Sequence, residues 1–244
     1  AVPMATFSDM ELRAEVKTGR FVKRLNRFVC LVELKEEGAV PVHVPSSGRM
    51  TELLVPDAEV VVEPFPRSGN HKTRGRLAKV LYENGDHKCW VSVDSHLPNR
   101  LFSQGVKDGT LGEFASYTDL RAEVTFNDSR LDFLLENTEE KALVEVKSVT
   151  LVEEGTALFP DAPTSRGARH IRDLIDSLDE GFVAYLVFII QREDAVVFSP
   201  NRRMDPTFGQ VVDEAAEAGV KILAYDCEVT PYKVALRNRV PVVL

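Results

Sequence analysis

The hydrophobic period of this chain changes once, and that change limits what it can fold into. Through about residue 85 the apolar residues sit in short β-rich runs: "RFVCLVEL" (27–34), "AVPVHVP" (39–45), "EVVVEPF" (59–65) and "GRLAKVLYE" (75–83). Turn-forming segments "KEEG", "SSGRM" and "PRSGNHKTR" separate them. Short strands at that spacing suit a small barrel or sandwich, and Pro41 and Pro45 place their segment at an edge or bulge. A five-stranded barrel of the oligonucleotide-binding (OB) type is the expected fold for residues 1–85.

Beyond "YENGDH", read as the domain boundary, a short strand "CWVSVDS" leads into helices that alternate with strands. Pro98 opens a helix through "PNRLFSQGVKDG". "DLRAEVTF", "RLDFLLE" and "KALVEVKSVTL" read as successive strands joined by turns short enough for hairpins. Ile171, Leu174, Ile175 and Leu178 mark one face of a helix that Gly181 stops. The strand "FVAYLVFII" follows; then Asp205 and Pro206 start a helix that ends at Gly219, before "VKILAYD". Residues 86–244 are therefore expected to form a mixed α+β or α/β domain in the order α-β-β-β-α-β-α-β.

At 244 residues and 44% hydrophobic, the chain has ample material for two cores. Its longest apolar run, 182–190, has strand length and falls far short of the ~20 residues that cross a bilayer, so no membrane partner is expected. The N-terminus carries neither the basic nor the apolar region of a secretory signal. Cys30, Cys89 and Cys227 form no C-x-x-C pair, which points to reduced, buried thiols in the cytoplasm. Net charge is −8, but the cations cluster. Lys17, Arg20, Lys23, Arg24 and Arg27 share residues 16–32 with no acid, as do Arg67, Lys72, Arg74, Arg76 and Lys79 within 64–82. Two basic patches on the expected barrel suit nucleic acid; a merely solvated surface is the alternative.

Glu145 and Lys147 interrupt "LVEVKSVTL", which otherwise reads as a buried strand, and the two-residue repeat puts both on one face. If the "NTEE" loop is centred between Thr138 and Glu139, Asp132 stands opposite Glu145. Two carboxylates and an ammonium are costly to bury together unless something pairs with them. Lys147 neutralises one; a divalent cation, Mg²⁺ or Mn²⁺, would satisfy both. Asp132 and Glu145 are thus candidate metal ligands, and Asp132, Glu145 and Lys147 candidate catalytic residues for phosphodiester chemistry. The alternative is a cross-strand ion pair without metal. A helix before this hairpin and a helix and strand after it match the PD-(D/E)XK restriction-endonuclease-like core, α-β-β-β-α-β. Glu123 on the preceding strand is a further candidate acid. "PDAPTSRGARH" opens the next helix, so Arg166, Arg169 and His170 are candidate phosphate contacts beside Lys23, Arg24, Arg27, Arg67, Lys72, Arg74 and Arg76.

The blocks "NRFV", "VHVPSSGRMTELL", "HLPNRL", "SRLDFLL", "VEVKSVTL", "FPDAPTSRGARHIRDLI", "GVKILAY" and "VPVVL" run in order from about residue 20 to the C-terminus. In them the chain resembles the sugar fermentation stimulation protein family. The resemblance implies an OB-type barrel joined to a PD-(D/E)XK nuclease-like domain, DNA binding with little sequence preference, and a regulatory link to sugar metabolism. It carries the site onto Asp132, Glu145 and Lys147. Leu131 replaces the signature's proline, and Gln104 stands where family members often carry an acid in the first helix.

Three functions stay open. One is a DNA-binding protein with a Mg²⁺- or Mn²⁺-dependent nuclease site, acting on single- or double-stranded DNA. The second is a non-catalytic DNA-binding regulator with a degenerate site. The third, a metal-dependent enzyme on a nucleotide or phosphorylated small molecule, ranks last because no G-x-x-x-x-G-K-[ST] loop is present. Monomer and homodimer are not distinguished.

Overall fold

The computed structural model describes residues 10–11, 15–66 and 71–244. The chain divides into two compact units. One contains the described residues up to Leu97 with Gln191–Asp194 and Cys227–Ala235; the other contains Pro98–Ile190, Ala195–Asp226 and Leu236–Leu244. Short strand β1 is Met10–Glu11.

The first unit is built on β2 (Lys17–Asn26), β3 (Val29–Leu34), β4 (Gly38–His43), β5 (Glu59–Pro64), β6 (Gly75–Asn84) and β7 (His87–Ser92). They pair in the order β4-β3-β2-β5-β6-β7, and His43 of β4 bridges Arg76 of β6 in parallel. That bridge closes a five-stranded barrel of the expected OB type, with β7 added outside the closure. Alternation builds it: Cys30, Val32 and Leu34 of β3 point inward against Val60, Val62, Leu77 and Val80. Strand crossings demand glycine at two points. A Cβ on Gly75 would lie 2.3 Å from the Glu63 carbonyl oxygen, and one on Gly19 2.6 Å from that of Glu33. Pro41 lies in β4, whose second side carries only the single bridge.

Two expectations are corrected here. The barrel has an additional strand, β2, where the sequence showed only a basic stretch; its side chains are mostly exposed and two bulges break its pairing, so no inward alternation marks it. Residues 82–87, read as the boundary between 1–85 and 86–244, form the end of the β6–β7 hairpin with its turn after Asn84, and β7 pairs within the barrel sheet. The Asn-Gly-Asp signal is hairpin chemistry rather than a linker.

The second unit begins with α1 (Leu97–Lys107) and a short 3₁₀ turn. Then come β8 (Asp119–Phe126), β9 (Ser129–Glu136), β10 (Lys141–Val149), β11 (Leu151–Glu153), β12 (Thr156–Phe159), α2 (Ser165–Asp179), β13 (Val183–Ile190), β14 (Val197–Pro200), α3 (Pro206–Ala218), β15 (Lys221–Val229) and β16 (Lys233–Val240). The main sheet has the order β1-β16-β15-β13-β10-β9-β8. A parallel neighbour on each side, β10 and β15, explains the unbroken apolar run of β13. Both long helices start as expected. The Thr164 hydroxyl accepts from Gly167 N–H at 3.0 Å, the Asp205 carboxylate accepts from Phe208 N–H at 2.9 Å, and Gly219 closes α3 with φ 108°. The expected α-β-β-β-α-β core is α1-β8-β9-β10-α2-β13. The small sheet β11-β12-β14 and the strand β16 are additions that no sequence signal marked. Among the described residues no helix is long and apolar enough to cross a membrane.

Candidate metal site

The β9–β10 hairpin has the register expected from its loop: Glu136 faces Lys141, and the ladder continues through Phe133 and Val144. One step further along, Asp132 turns its carboxylate onto the neighbouring strand instead of continuing the ladder. Its Oδ2 accepts the Val146 N–H at 2.8 Å, and its Oδ1 accepts the Asn99 side-chain amide of α1 at 2.7 Å. Leu134, Leu143 and Val149 join Ile171 and Leu174 of α2 in one apolar core, so this face of the hairpin looks toward α2. Glu145 and Lys147 lie on that face between apolar neighbours.

Glu145 is 3% exposed. Its Oε1 accepts from Lys147 Nζ at 2.5 Å and pairs with His170 Nδ1 at 2.6 Å. Its Oε2 is buried and has no partner among the described residues. A buried carboxylate oxygen without a donor bears its full desolvation cost, which a bound cation would offset. The charges point the same way. Burial, then the charge of Glu145, pushes the Asp132 carboxyl up to about 6 from its ordinary 3.8. Burial works to raise Glu145 too, but the Lys147 ammonium and the His170 hydrogen bond outweigh it and hold that carboxyl below its usual range. A divalent cation held by Asp132 and Glu145 would relieve the repulsion and satisfy the orphaned oxygen, so the donor set fits a hard divalent cation.

Several expected contributors stand elsewhere. Glu123 has φ 60°, interrupts the β8–β9 pairing and turns its exposed carboxylate to Arg130, so it does not join the site. His170 is 4% exposed and bonded to Glu145, which makes it a buried partner of that carboxylate rather than a surface phosphate contact. Arg166 and Arg169 are exposed on the first turns of α2, and Arg166 Nε donates to His170 Nε2 at 3.3 Å. From α1 it is Asn99, absent from the sequence candidates, that reaches Asp132. Gln104 lies five residues on, about 140° around a helix. The "HLPNRL" block contained Asn99, but its partner depends on how α1 packs.

The basic patches divide in the same way. Arg24 is half-buried and donates to the carbonyls of Gly48 at 2.9 Å, Arg49 at 2.8 Å and Arg27 at 2.7 Å, so it braces the 46–49 loop and is not offered to a ligand. Arg76 is paired with Glu63 and Asp94. Lys23, Arg27, Lys72 and Arg74 are exposed, and the Arg27 guanidinium lies 5.6 Å from the ring of Phe28, itself 50% exposed. Arg67 falls outside the described residues. The one described group of three metal-type ligands, His87, Cys89 and Asp194, is occupied otherwise: Arg192 Nε and Nη2 bond the two Asp194 oxygens at 2.6 and 2.7 Å.

Comparison with known proteins agrees with this architecture. The model of the sugar fermentation stimulation protein RE domain matches residues 96–233, and that of the SfsA N-terminal OB domain matches residues 22–93. A sugar fermentation stimulation protein homolog of Desulforamulus reducens is 45% identical over 92% of this chain and 91% of its own length. The homolog of Symbiobacterium thermophilum is likewise 45% identical, over 99% and 97%. The structure of Pyrococcus furiosus SfsA in complex with Ca²⁺ superposes with a TM-score of 0.86 at 29% identity, covering 96% of this chain and 98% of that one. With both domain models matched in sequence order and relatives aligned nearly end to end, this chain belongs to the sugar fermentation stimulation protein family.

Proposed function

We propose that this protein binds DNA with little sequence preference and holds a divalent cation, Mg²⁺ or Mn²⁺, at Asp132 and Glu145 for phosphodiester hydrolysis. The observation that carries the reading is the buried, unpartnered Oε2 of Glu145 beside an Asp132 carboxyl raised to about 6. The Ca²⁺ in the Pyrococcus furiosus relative supports it, since oxygen ligands serve both Ca²⁺ and Mg²⁺. A bound cation would supply positive charge to the oxygens of a phosphodiester and lower the pKa of a bound water. The chain supplies the rest. Asn99 and Val146 N–H fix Asp132, and His170 fixes Glu145. Lys147, 13% exposed at its side chain, offers an ammonium to the charge that develops on phosphorus. Exposed Lys23, Arg27, Lys72 and Arg74 supply non-specific phosphate contacts, and Phe28 a face on which a base can stack. Three free, buried cysteines suit a reducing cytoplasm.

One observation favours a second reading, a DNA-binding regulator of sugar metabolism without catalysis: α1 gives Asp132 a neutral amide, Asn99, in place of a third carboxylate. Cleavage of labelled single- and double-stranded DNA in Mg²⁺ or Mn²⁺, comparing wild type with Glu145→Ala at matched DNA occupancy, separates the two. Metal-dependent cutting that the variant loses supports the nuclease. Binding without cutting in both proteins leaves the regulator, and no binding in either refutes both.

A further inference from the structure

Glu145 owes its orientation to a chain of two hydrogen bonds that begins at the protein surface. A guanidinium nitrogen can only donate, so the 3.3 Å contact from Arg166 Nε makes His170 Nε2 an acceptor. The ring proton therefore sits on Nδ1 and is donated to Glu145 Oε1, 2.6 Å away. Lys147 takes the same oxygen, and Oε2 is left without a donor. Both ends of the relay are set by α2: Arg166 and His170 are one helical turn apart, with Arg166 exposed and His170 buried. The bond to His170 uses only Nε, and Arg166 has no other partner among the described residues. Its two terminal nitrogens remain free for a forked contact to a phosphate.

From this geometry we infer that Arg166 and His170 form a positioning relay that couples phosphate binding at the start of α2 to cation binding at Glu145. The inference rests on the metal-site reading above and adds its regulation. A phosphodiester held by the terminal nitrogens of Arg166 restrains the side chain, which firms the Nε bond to His170 and keeps Glu145 Oε2 aimed at the cation. By linkage, the cation must tighten the phosphate contact by the same factor. Neither residue touches the reacting atoms; each acts through Glu145.

The test is calorimetric titration of Mn²⁺ into the full chain, alone and in the presence of a saturating thymidine tetranucleotide. The wild type is expected to bind Mn²⁺ about fivefold more tightly, or better, with the tetranucleotide present. His170→Ala should weaken Mn²⁺ binding about tenfold. Arg166→Lys separates the two ends of the relay: its ammonium still attracts the tetranucleotide, but it has no donor at the Nε position, so tightening should vanish while tetranucleotide affinity falls only modestly. A site whose coupling came from the phosphate ligating the cation directly would keep its tightening in Arg166→Lys, and that result overturns the relay. So does a wild type whose Mn²⁺ affinity ignores the tetranucleotide. Should His170→Ala fail to fold, Arg166→Lys, at an exposed position, decides alone. A wild type that binds Mn²⁺ no better than Glu145→Ala is a different failure, because it removes the metal site itself.

Discussion

Replacing Asp132 with Asn should make the metal-free protein more stable, and the structure indicates by how much. The Asp132 carboxyl is pushed up to about 6 from 3.8, by burial first and the charge of Glu145 second. Its folded-state pKa exceeds its unfolded one, so the folded chain binds more protons between those values. Stability is therefore lost as pH rises through that window and stays lost above it. At roughly 1.4 kcal/mol per unit, the shift amounts to about 2–3 kcal/mol near neutral pH. Asparagine removes that cost without breaking the local bonds. Its Oδ1 can still accept the Val146 N–H, and its amide can donate to Asn99 once the Asn99 side chain turns over, replacing bonds now at 2.8 and 2.7 Å. For a chain of this size each kcal/mol moves Tm by about 2–4 °C, so Asp132→Asn should melt about 4–12 °C above wild type in EDTA near pH 7.5. The gap should shrink toward about pH 5, where the wild-type carboxyl is largely protonated. Saturating Mn²⁺ should close it from the other side, raising the wild type by about 2.7 kcal/mol at a hundredfold excess over Kd and leaving the variant unmoved. Scanning calorimetry at two pH values, with and without Mn²⁺, measures all of this. A variant less stable than wild type in EDTA, or a gap indifferent to both pH and Mn²⁺, would refute the argument that this carboxylate is held at a cost for a cation.

Lys79, 1% exposed and bonded to the Pro231 carbonyl at 2.9 Å, has its pKa lowered by burial to about 8 from 10.5. The unfolded chain then binds more protons between those values, so stability should rise with pH across about 8 to 10.5; Lys79→Met should be more stable than wild type by about 2 kcal/mol near pH 7 and lose that rise in urea titrations. Thr164→Ala removes the α2 cap and should cost about 1 kcal/mol by the same measurement. Arg24→Ala breaks the brace on the 46–49 loop and should cost about 2 kcal/mol of stability, whereas Arg27→Ala should leave stability within about 0.5 kcal/mol. Fluorescence anisotropy in a salt series should show DNA binding by Arg27→Ala with a log–log slope shallower by about 0.9, the signature of one lost phosphate contact.

The residues that were legible in the sequence owe their positions to local rules. The "NTEE" loop sets the hairpin register by its length, and with it the proximity of Asp132 to Glu145; Asp205 and Gly219 bound α3 by cap chemistry within four residues. The OB barrel was legible wherever strands alternate, and β2 was missed because its exposed face and bulges leave no alternation to read. Illegible throughout were the partners of charged side chains. Arg24 and Arg27 are three residues apart in an acid-free stretch, yet the fold brings the carbonyls of residues 48 and 49 to one and a solvent-facing phenylalanine to the other. Glu123 reads as a further candidate acid on the preceding strand, but a left-handed backbone turns it toward Arg130. His170 reads as part of a basic surface turn beside Arg166 and Arg169, and only the packing of α2 against β10 makes it a buried hydrogen-bond partner of Glu145. A charge becomes a candidate for cation binding here when tertiary packing leaves one of its atoms without a partner. That condition holds at Glu145 Oε2, and it could be recognised only after every nearby donor had been placed.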